Sequence, residues 1–286
     1  MRRSIKLVIA LLMITSIAFA QKPTGYSLKV GDNFSLTRVT DIATTQQVSG
    51  QSTEISEVTT IEELLEVTSI ANNIITIKAT PLRRKLGVTA PMMSQEMDSD
   101  RPGEQNLPFK LLVGESYSFT MDKTGTILQI KDIDKMRASI RKKFSATRFA
   151  EAADDLLSVF SQEAIKRELE AQFNIYDVSA GNTWTKRMKT VSAEIPTDLN
   201  NNYRWGNANT ILVNASLAVN GATVISGMNM NFNMTGDQQS TINVDQQNGF
   251  PNKIETVQTL KGNMEVQNTN VPTTIVTKVT STFVKK

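Results

Sequence analysis

Most of the sequence alternates between apolar and polar residues with a period of two, and this alternation constrains the fold more than any other feature. Successive side chains of a β-strand point to opposite faces, so the alternation predicts strands with one buried face. Thr, Val and Ile are abundant in these segments and favour strands, while Gly, Asn and Asp punctuate them. The sequence therefore predicts a mainly β protein built as an antiparallel meander.

Six short segments rich in turn-forming residues predict where the chain reverses between strands. An Asn-Gly pair favours a two-residue turn because both central positions then need positive φ angles. An Asp-x-x-Gly segment is typical of a type I turn followed by a Gly bulge. The predicted turns are Ser49-Gly50, Asn72-Asn73, Asp122-Lys123-Thr124-Gly125, Asn220-Gly221, Asn248-Gly249-Phe250-Pro251 and Gly262-Asn263.

Two other segments need separate arguments. Residues 60–66 begin with a Thr-x-x-Glu capping box, which favours a helix, but β-branched residues surround them and we predict a strand. Residues 90–106 are polar and contain Pro91 and Pro102, which predicts a long exposed loop. The acids of this loop do not have EF-hand spacing, so we expect them to be solvated: Glu96, Asp98, Asp100 and Glu104.

Residues 132–176 differ in composition, because Gly and Pro are absent from 132–174 and apolar residues recur every three or four positions. This period is typical of amphipathic helices, and we predict two or three of them. Ser145 and Ser161 are the predicted breaks or N-caps. One predicted apolar face comprises Phe149, Leu156 and Phe160.

The strand-rich segments on either side of the helices share an order of short motifs. Val30–Phe34 opens the first segment and Ala180–Trp184 opens the second, and each segment later contains an Asp and Gly turn. We therefore predict two related β units that form an incomplete β-barrel, with the helices at its open side. The predicted boundaries are 21–131 for the first unit, 132–176 for the helical segment and 177–286 for the second unit, all within one compact structure.

The first 20 residues have the three parts of a secretory signal peptide. Arg2, Arg3 and Lys6 give a positive start, an apolar stretch follows, and Ala18-Phe19-Ala20 is an A-x-A cleavage site. The apolar stretch is shorter than the about 20 residues that a membrane-spanning helix needs. We therefore expect an exported protein, periplasmic or extracellular, that begins at Gln21 and has no transmembrane segment.

The residue types that the chain lacks exclude several classes of function. It contains no Cys and no His, which excludes Ser-His-Asp and Cys-His catalytic systems and ordinary zinc sites. Three of its 31 basic residues and none of its 28 acidic residues lie in the predicted signal peptide, so the rest of the chain is electrically neutral. That balance removes the electrostatic argument for nucleic-acid binding. We expect a non-catalytic protein with no metal and no cofactor.

One strand carries the strongest candidate site. Its apolar residues alternate with asparagines and form one soft face in a strand. The face has three open interpretations, namely a core-facing strand, a groove for an apolar ligand, or a Cu(I) thioether site. Our site hypothesis is the groove, partly covered by the helical face Phe149, Leu156 and Phe160. The strand residues of this predicted groove are Met228, Met230, Phe232 and Met234.

The order of motifs resembles a domain-of-unknown-function family of exported bacterial proteins that is common in Bacteroidota. The shared features are the signal peptide, long Thr-rich strands and central helices, together with Gly31–Phe34, Asp122–Gly125 and Gly181–Trp184. The resemblance implies export and a β-rich fold, and it supplies no activity.

The first functional hypothesis is a non-catalytic protein that binds or carries a hydrophobic or envelope ligand in a β-lined groove. A structural or protein-interaction component of the cell envelope is the alternative. A carboxylate-dependent hydrolase is a third class, because the spatial separation of paired acids is not visible in a sequence. The sequence does not predict an oligomeric state.

Overall fold

The structure is a computed structural model that describes residues 22–48, 50–151, 153–158, 160–177, 181–192, 195–225, 228–266 and 269–286. The predicted signal peptide, its cleavage site and Gln21 lie outside the described residues. Within these ranges, no helix has both the length and the hydropathy required to cross a membrane.

The described residues form one large antiparallel sheet of twelve strands that does not close. Strands account for 62% of the structure and helices for 15%, which confirms the prediction of a mainly β protein with a helical segment. The strands are β1 (Asn33–Val48), β2 (Gln51–Ala71), β3 (Ile74–Ala90), β4 (Met93–Asp98), β5 (Tyr117–Asp122), β6 (Ile127–Lys131), β7 (Thr183–Ser192), β8 (Ile195–Asn207), β9 (Thr210–Ile225), β10 (Met228–Val244), β11 (Pro251–Val266) and β12 (Thr269–Lys285).

The first and last strands in the sequence are neighbours at the centre of the sheet. The strand order is β6-β5-β3-β2-β1-β12-β11-β10-β9-β8-β7, and β4 pairs with β3 off this path. The β1–β12 pair runs from Phe34 opposite Lys285 to Gln46 opposite Thr273. Each of the two predicted β units contributes one strand to this pair, so the units meet there. Their duplication stays a prediction.

Three helices longer than one turn connect the two halves in the described part of the chain: α1 (Ile133–Ser145), α2 (Ala153–Ser158) and α3 (Gln162–Phe173). A 3-10 turn, Glu104–Asn106, and a one-turn helix, Leu107–Lys110, precede β5. The predicted N-cap Ser161 is confirmed, because its hydroxyl oxygen accepts a hydrogen bond from the Ala164 N–H at 3.2 Å. The residues buried at helical spacing on α1 and α3 include Ile133, Met136, Ile140, Phe144, Ile165, Leu169 and Phe173.

The main core lies between these helices and one face of the sheet, called here the inner face, which carries Leu36, Ile77, Ile242 and Phe283. Aromatic rings concentrate at the C-terminal end of α3. The ring of Phe173 lies 5.6–6.5 Å from four other rings, on segments far apart in sequence. These rings are Tyr26 at 6.5 Å, Phe119 at 5.8 Å, Phe250 at 5.6 Å and Phe283 at 6.1 Å.

The predicted Asp122–Gly125 turn is confirmed, and it docks on this end of α3. The Gly125 N–H donates to the Asp122 carbonyl at 3.0 Å, and Gly125 has a φ of 88°. A Cβ at Gly125 would lie 1.6 Å from the Phe173 carbonyl oxygen. Glycine is therefore required here both for the backbone angle and for the close approach of the helix.

The predicted turns between β1 and β2, between β2 and β3, and before β11 are also confirmed. Asn72 and Asn73 have φ angles of 51° and 62°, which are the positive values of a tight hairpin turn. Gly50 has a φ of 79° between β1 and β2, while Ser49 lies outside the described residues. Gly249 has a φ of 71° in the turn before β11.

The turns predicted at Asn220-Gly221 and Gly262-Asn263 are wrong, because both pairs lie inside long strands. β9 continues to Ile225, which pairs with Met228 of β10. A Cβ at Gly262 would lie 2.2 Å from the Asn233 carbonyl oxygen, so this glycine permits close approach of two strands. Gly in a strand and Gly in a turn carry the same local sequence signal.

The prediction for residues 60–66 is confirmed, since they lie within β2, and pairing with β1 and β3 overrides the local helix signal. The prediction of a long exposed loop over 90–106 is wrong. Met93–Asp98 forms β4 and pairs with β3. The acidic side chain of Asp98 is buried rather than solvated.

Asp98 is held by a local network that explains its burial. Arg83 Nη2 donates to Asp98 Oδ2 at 2.7 Å, and the Asp100 N–H donates to Asp98 Oδ1 at 3.0 Å. The Asp98 N–H donates to Asn106 Oδ1 at 2.8 Å. The hydrogen bond from Arg83 lowers the pKa of Asp98 to about 2. The carboxylate thus joins β4 to β3 through Arg83, and the Asp98 backbone N–H joins β4 to the 3-10 turn.

We predict that Asp98→Asn destabilises the protein near neutral pH by about 1–2 kcal/mol, because it removes this ion pair. The folded pKa of about 2 lies below the unfolded value of about 3.9. The stabilisation is therefore complete above the unfolded pKa and is lost as the pH falls through the folded pKa.

The urea midpoints of the wild type and of Asp98→Asn at pH 7 and pH 2.5 measure this loss of stability. Asp100→Asn is the control, because Asp100 contacts the same arginine at 3.2 Å but is 59% exposed. A wild-type advantage of equal size at both pH values would contradict this assignment.

Candidate functional site

A cavity of about 270 Å³ lies between α3 and the inner face of the sheet. Seven strands contribute to it, from β1 and β12 across to β7. Strands that lie so far apart in the order can line one cavity only if the sheet curls around it. α3 contributes Glu168, Ala171 and Gln172.

The lining of the cavity is arranged in rows across β10 and β11. Inner-face residues alternate along each strand, and the antiparallel register places like residues opposite one another. Ile242 pairs with Ile254, and Gln238 pairs with Gln258. Between these rows the hydroxyls of Ser240 and Thr256 lie 2.8 Å apart. The cavity wall therefore changes from apolar to hydroxyl to amide along the strand direction.

The apolar part of the wall is continuous with the main core. Val213, Ile242 and Ile254 belong both to the cavity lining and to the core, and half-buried Val279 lies beside them. Tyr203 also lines the cavity, and its ring stacks on Trp184 at 5.3 Å. Burial raises the pKa of Tyr203 to about 12. Tyr203 is therefore a neutral, largely apolar part of the wall at physiological pH.

A group of charged side chains lies at one side of the cavity. Arg38 of β1 makes an ion pair through Nη1 with Glu168 of α3. The Arg38 side chain is 10% exposed and that of Glu168 is 46% exposed, so the cavity reaches the surface at Glu168. Deeper in the protein, Arg84 Nη2 lies 3.8 Å from Glu63 Oε1. Burial raises the pKa of Glu63, and the nearby charge of Glu168 raises it further.

Three buried polar atoms on the cavity lining have no hydrogen-bond partner within the part of the chain that the structure describes. They belong to residues that are less than a tenth exposed, at 9%, 7% and 3%. An unpaired buried polar group costs about 1–3 kcal/mol. All three of these residues line the same cavity. The atoms are Arg38 Nη2, Gln172 Oε1 and Asn201 Oδ1.

The predicted methionine face lies on the inner face beyond this cavity. Met234 is four residues from the cavity residue Gln238 on β10, about 13 Å along the strand. Met234 is 1% exposed and packs with Val219 in a second, smaller cluster. Phe232 is partly buried against that cluster and Met230 is half-buried, while the side chain of Met228 lies outside the described residues.

The predicted helical face lies elsewhere. Phe160 is buried in the main core and Phe149 is partly buried against it. The side chain of Leu156 lies outside the described residues, and its neighbour Leu157 is fully buried in the main core. The structure therefore places these phenylalanines and Met234 in two separate clusters. The ligand-binding role of the predicted residues stays a prediction.

Sequence reasoning missed Arg38, Gln172 and Asn201, because they come from three distant elements that only the folded sheet brings together. Arg38 did carry a signal. It occupies an inward position in the alternation of β1, directly after Phe34 and Leu36, where an apolar residue is expected. A charged residue at such a position indicates a buried ion pair or a binding site, and here Arg38 forms an ion pair and lines the cavity.

The comparisons with known proteins come from sequence and from structure. The model of a family of unknown function, DUF6263, matches residues 72–251, which is more than half of the chain. The chain belongs to this family. The match confirms the resemblance to a domain-of-unknown-function family, and DUF6263 carries no assigned activity. No protein of curated function matches the sequence.

Several solved structures match the chain at low similarity. A lipovitellin structure matches with a TM-score of 0.48 and 10% identity, over 91% of this chain and 25% of the lipovitellin chain. An outer membrane channel from Pseudomonas putida F1 matches with a TM-score of 0.25 and 9% identity, over 92% of this chain and 99% of the channel. The translocator domain of the autotransporter NalP from Neisseria meningitidis matches with a TM-score of 0.23 and 6% identity, over 97% and 95% of the two chains. Likenesses at this level carry no functional information.

We predict that Gln172→Leu raises the free energy of unfolding by about 1 kcal/mol, because it removes an unpartnered amide oxygen from a buried position. Leucine is also a good helix former. Thermal and urea denaturation measure the change, with the exposed Gln162→Leu on the same helix as the control. A clear loss of stability in Gln172→Leu alone would show that the amide is satisfied in the folded protein.

Proposed function

We propose that the protein is an exported, non-catalytic binding protein that holds a hydrophobic ligand between α3 and the inner face of the sheet. The observation that carries the proposal is the cavity of about 270 Å³, with its apolar wall and three unpartnered polar atoms. Ligand pockets are typically apolar concavities with a few convergent polar groups.

The packing of the cavity favours binding over a purely structural role. Protein interiors are close-packed, and atoms that line a void lose dispersion contacts. Here Val213, Ile242 and Ile254 could be covered by larger side chains from α3, yet the helix presents Ala171 and Gln172 at this point. An apolar ligand would recover the contacts that the helix leaves unmade.

The methionine face supports the same function. Met234, Phe232, Leu260 and Ile275 form a partly buried apolar surface on the inner face, next to the Gln238 and Gln258 row. Methionine side chains adapt to ligands of different shape. A long apolar ligand would extend from the cavity towards this cluster, and residues Met228, Met230, Phe232 and Met234 are proposed to contact its far end.

Export is the first part of the proposal to test. The A-x-A site predicts cleavage after Ala20, and the protein recovered from the cell envelope or medium should have the intact mass of the chain that begins at Gln21. Substituting Ala18 and Ala20 by Arg should block processing. Recovery of wild-type protein with residues 1–20 attached would refute the prediction.

Ligand binding is tested by filling the cavity. Val279→Trp places a large side chain on the inner face of β12, and we predict that it lowers the affinity for the neutral dye N-phenyl-1-naphthylamine at least tenfold. Val257→Trp is the matched control. Val257 alternates with the cavity residues Thr256 and Gln258 on β11, so it lies on the outer face, where it is 47% exposed.

Dye fluorescence measures binding, and thermal denaturation checks that both variants remain folded. Wild-type protein and Val257→Trp should increase dye fluorescence to the same extent. If the wild type fails to bind the dye and a panel of long-chain lipids, the binding proposal is wrong, and the alternative of an envelope interaction protein is favoured.

A further inference from the structure

Two of the unpartnered polar groups that line the cavity belong to Arg38 and Gln172. Gln172 lies four residues after Glu168 on α3, so the two side chains share one face of the helix. Glu168 contacts Arg38 Nη1, and Arg38, Glu168 and Gln172 line the same cavity. Arg38 Nη2, the second terminal nitrogen, is buried and has no partner among the described residues.

The inner face changes from polar to apolar with distance from Arg38. The register across the sheet places Ser281 of β12 opposite Arg38, then Ile254 of β11, then Ile242 of β10. Neighbouring strands lie about 4.8 Å apart, so this row extends roughly 15 Å from Arg38. A cationic donor at one end and isoleucines at the other fit an elongated molecule with one polar end.

The charges around Arg38 balance one another and leave one of its nitrogens without a partner among the described residues. The groups that face Arg38 are Glu168 from α3 and Glu63 from β2, with Arg84 of β3 beside Glu63. Two arginines and two glutamates meet here, so their formal charges cancel, and Arg38 Nη2 has no partner among the described residues. An anionic head group could accept a charge-assisted hydrogen bond from this nitrogen, and each further negative charge on it would be repelled by Glu168.

We infer that the cavity binds the carboxylate of a long-chain acid, with Arg38 Nη2 donating to the head group and the chain along Ile254 and Ile242. This inference rests on the proposed function and names the class of ligand. A guanidinium is suited to the site, because its planar donors match a carboxylate and it stays charged when buried.

The head group is tested with three compounds that share one chain length. Dodecanoic acid, methyl dodecanoate and dodecyl phosphate are each titrated against the wild-type protein carrying N-phenyl-1-naphthylamine, and the displacement of the dye is measured. We expect the acid to bind about tenfold more tightly than its methyl ester, because only the acid forms a charge-assisted hydrogen bond with Arg38. Dodecyl phosphate should bind more weakly than the acid.

The role of Arg38 is tested with a variant that keeps its charge. Arg38→Lys can still pair with Glu168 but lacks the second terminal nitrogen. It should weaken binding of the acid about tenfold and change binding of the ester by less than about twofold. The control is Arg187→Lys on β7, which is exposed and alternates with the inner-face residue Met188. Should Arg38→Lys unfold, the double variant Arg38→Gln with Glu168→Gln removes both charges together and serves the same comparison.

The outcomes separate this inference from the proposed function. Equal affinity for acid and ester, or an equal loss of both in Arg38→Lys, would overturn the carboxylate assignment while the binding function stands. Tighter binding of dodecyl phosphate would overturn it in favour of a phosphate head group. If the dye itself does not bind the wild-type protein, the proposed function fails first.

Discussion

The packing of Phe173 determines the position of the helices on the sheet. Its ring is completely buried and meets rings from the segment before β1, from β5, from the turn before β11 and from β12. Its carbonyl oxygen accepts a hydrogen bond from the Tyr26 hydroxyl at 2.7 Å. The close approach of Gly125 to the same carbonyl adds the β5–β6 turn. The C-terminal end of α3 is therefore fixed by five segments at once.

The candidate site follows from this anchor. Gln172 precedes Phe173 directly, and Glu168 lies about one turn earlier, so the anchored helix holds both over the inner face. The side chains beneath them include Ser240 and Thr256, which are too short to fill the space. The cavity is thus the space between α3 and the smaller residues of the inner face. The large aromatic rings at the end of α3 set the distance between the helix and the sheet.

The sequence predicted the individual helices and strands better than the contacts between them. Alternation identified the strands, and the 3.6-residue period identified α1 and α3. Asn, Asp and Gly residues, which favour turns, identified the turns at Asn72-Asn73 and Asp122–Gly125. Gly221 and Gly262 were misassigned because a glycine that admits a neighbouring strand looks like one in a turn. Asp98 was misassigned because the partner that buries it, Arg83, lies 15 residues away. The site was not predictable, since β1, α3 and β8 meet only through the pairing of the whole sheet.

The central β1–β12 pair also sets the order in which the sheet can be assembled. Phe34 pairs with Lys285, which is separated from it by nearly the entire described sequence. By contrast, β1 with β2 and β9 with β10 pair strands that are consecutive in sequence. Closing a long loop carries a larger entropic cost than local pairing. The hairpins can therefore form early, whereas the β1–β12 pair can form only once β12 is available. A chain whose central strand pair needs its last strand stays incompletely folded until synthesis reaches β12.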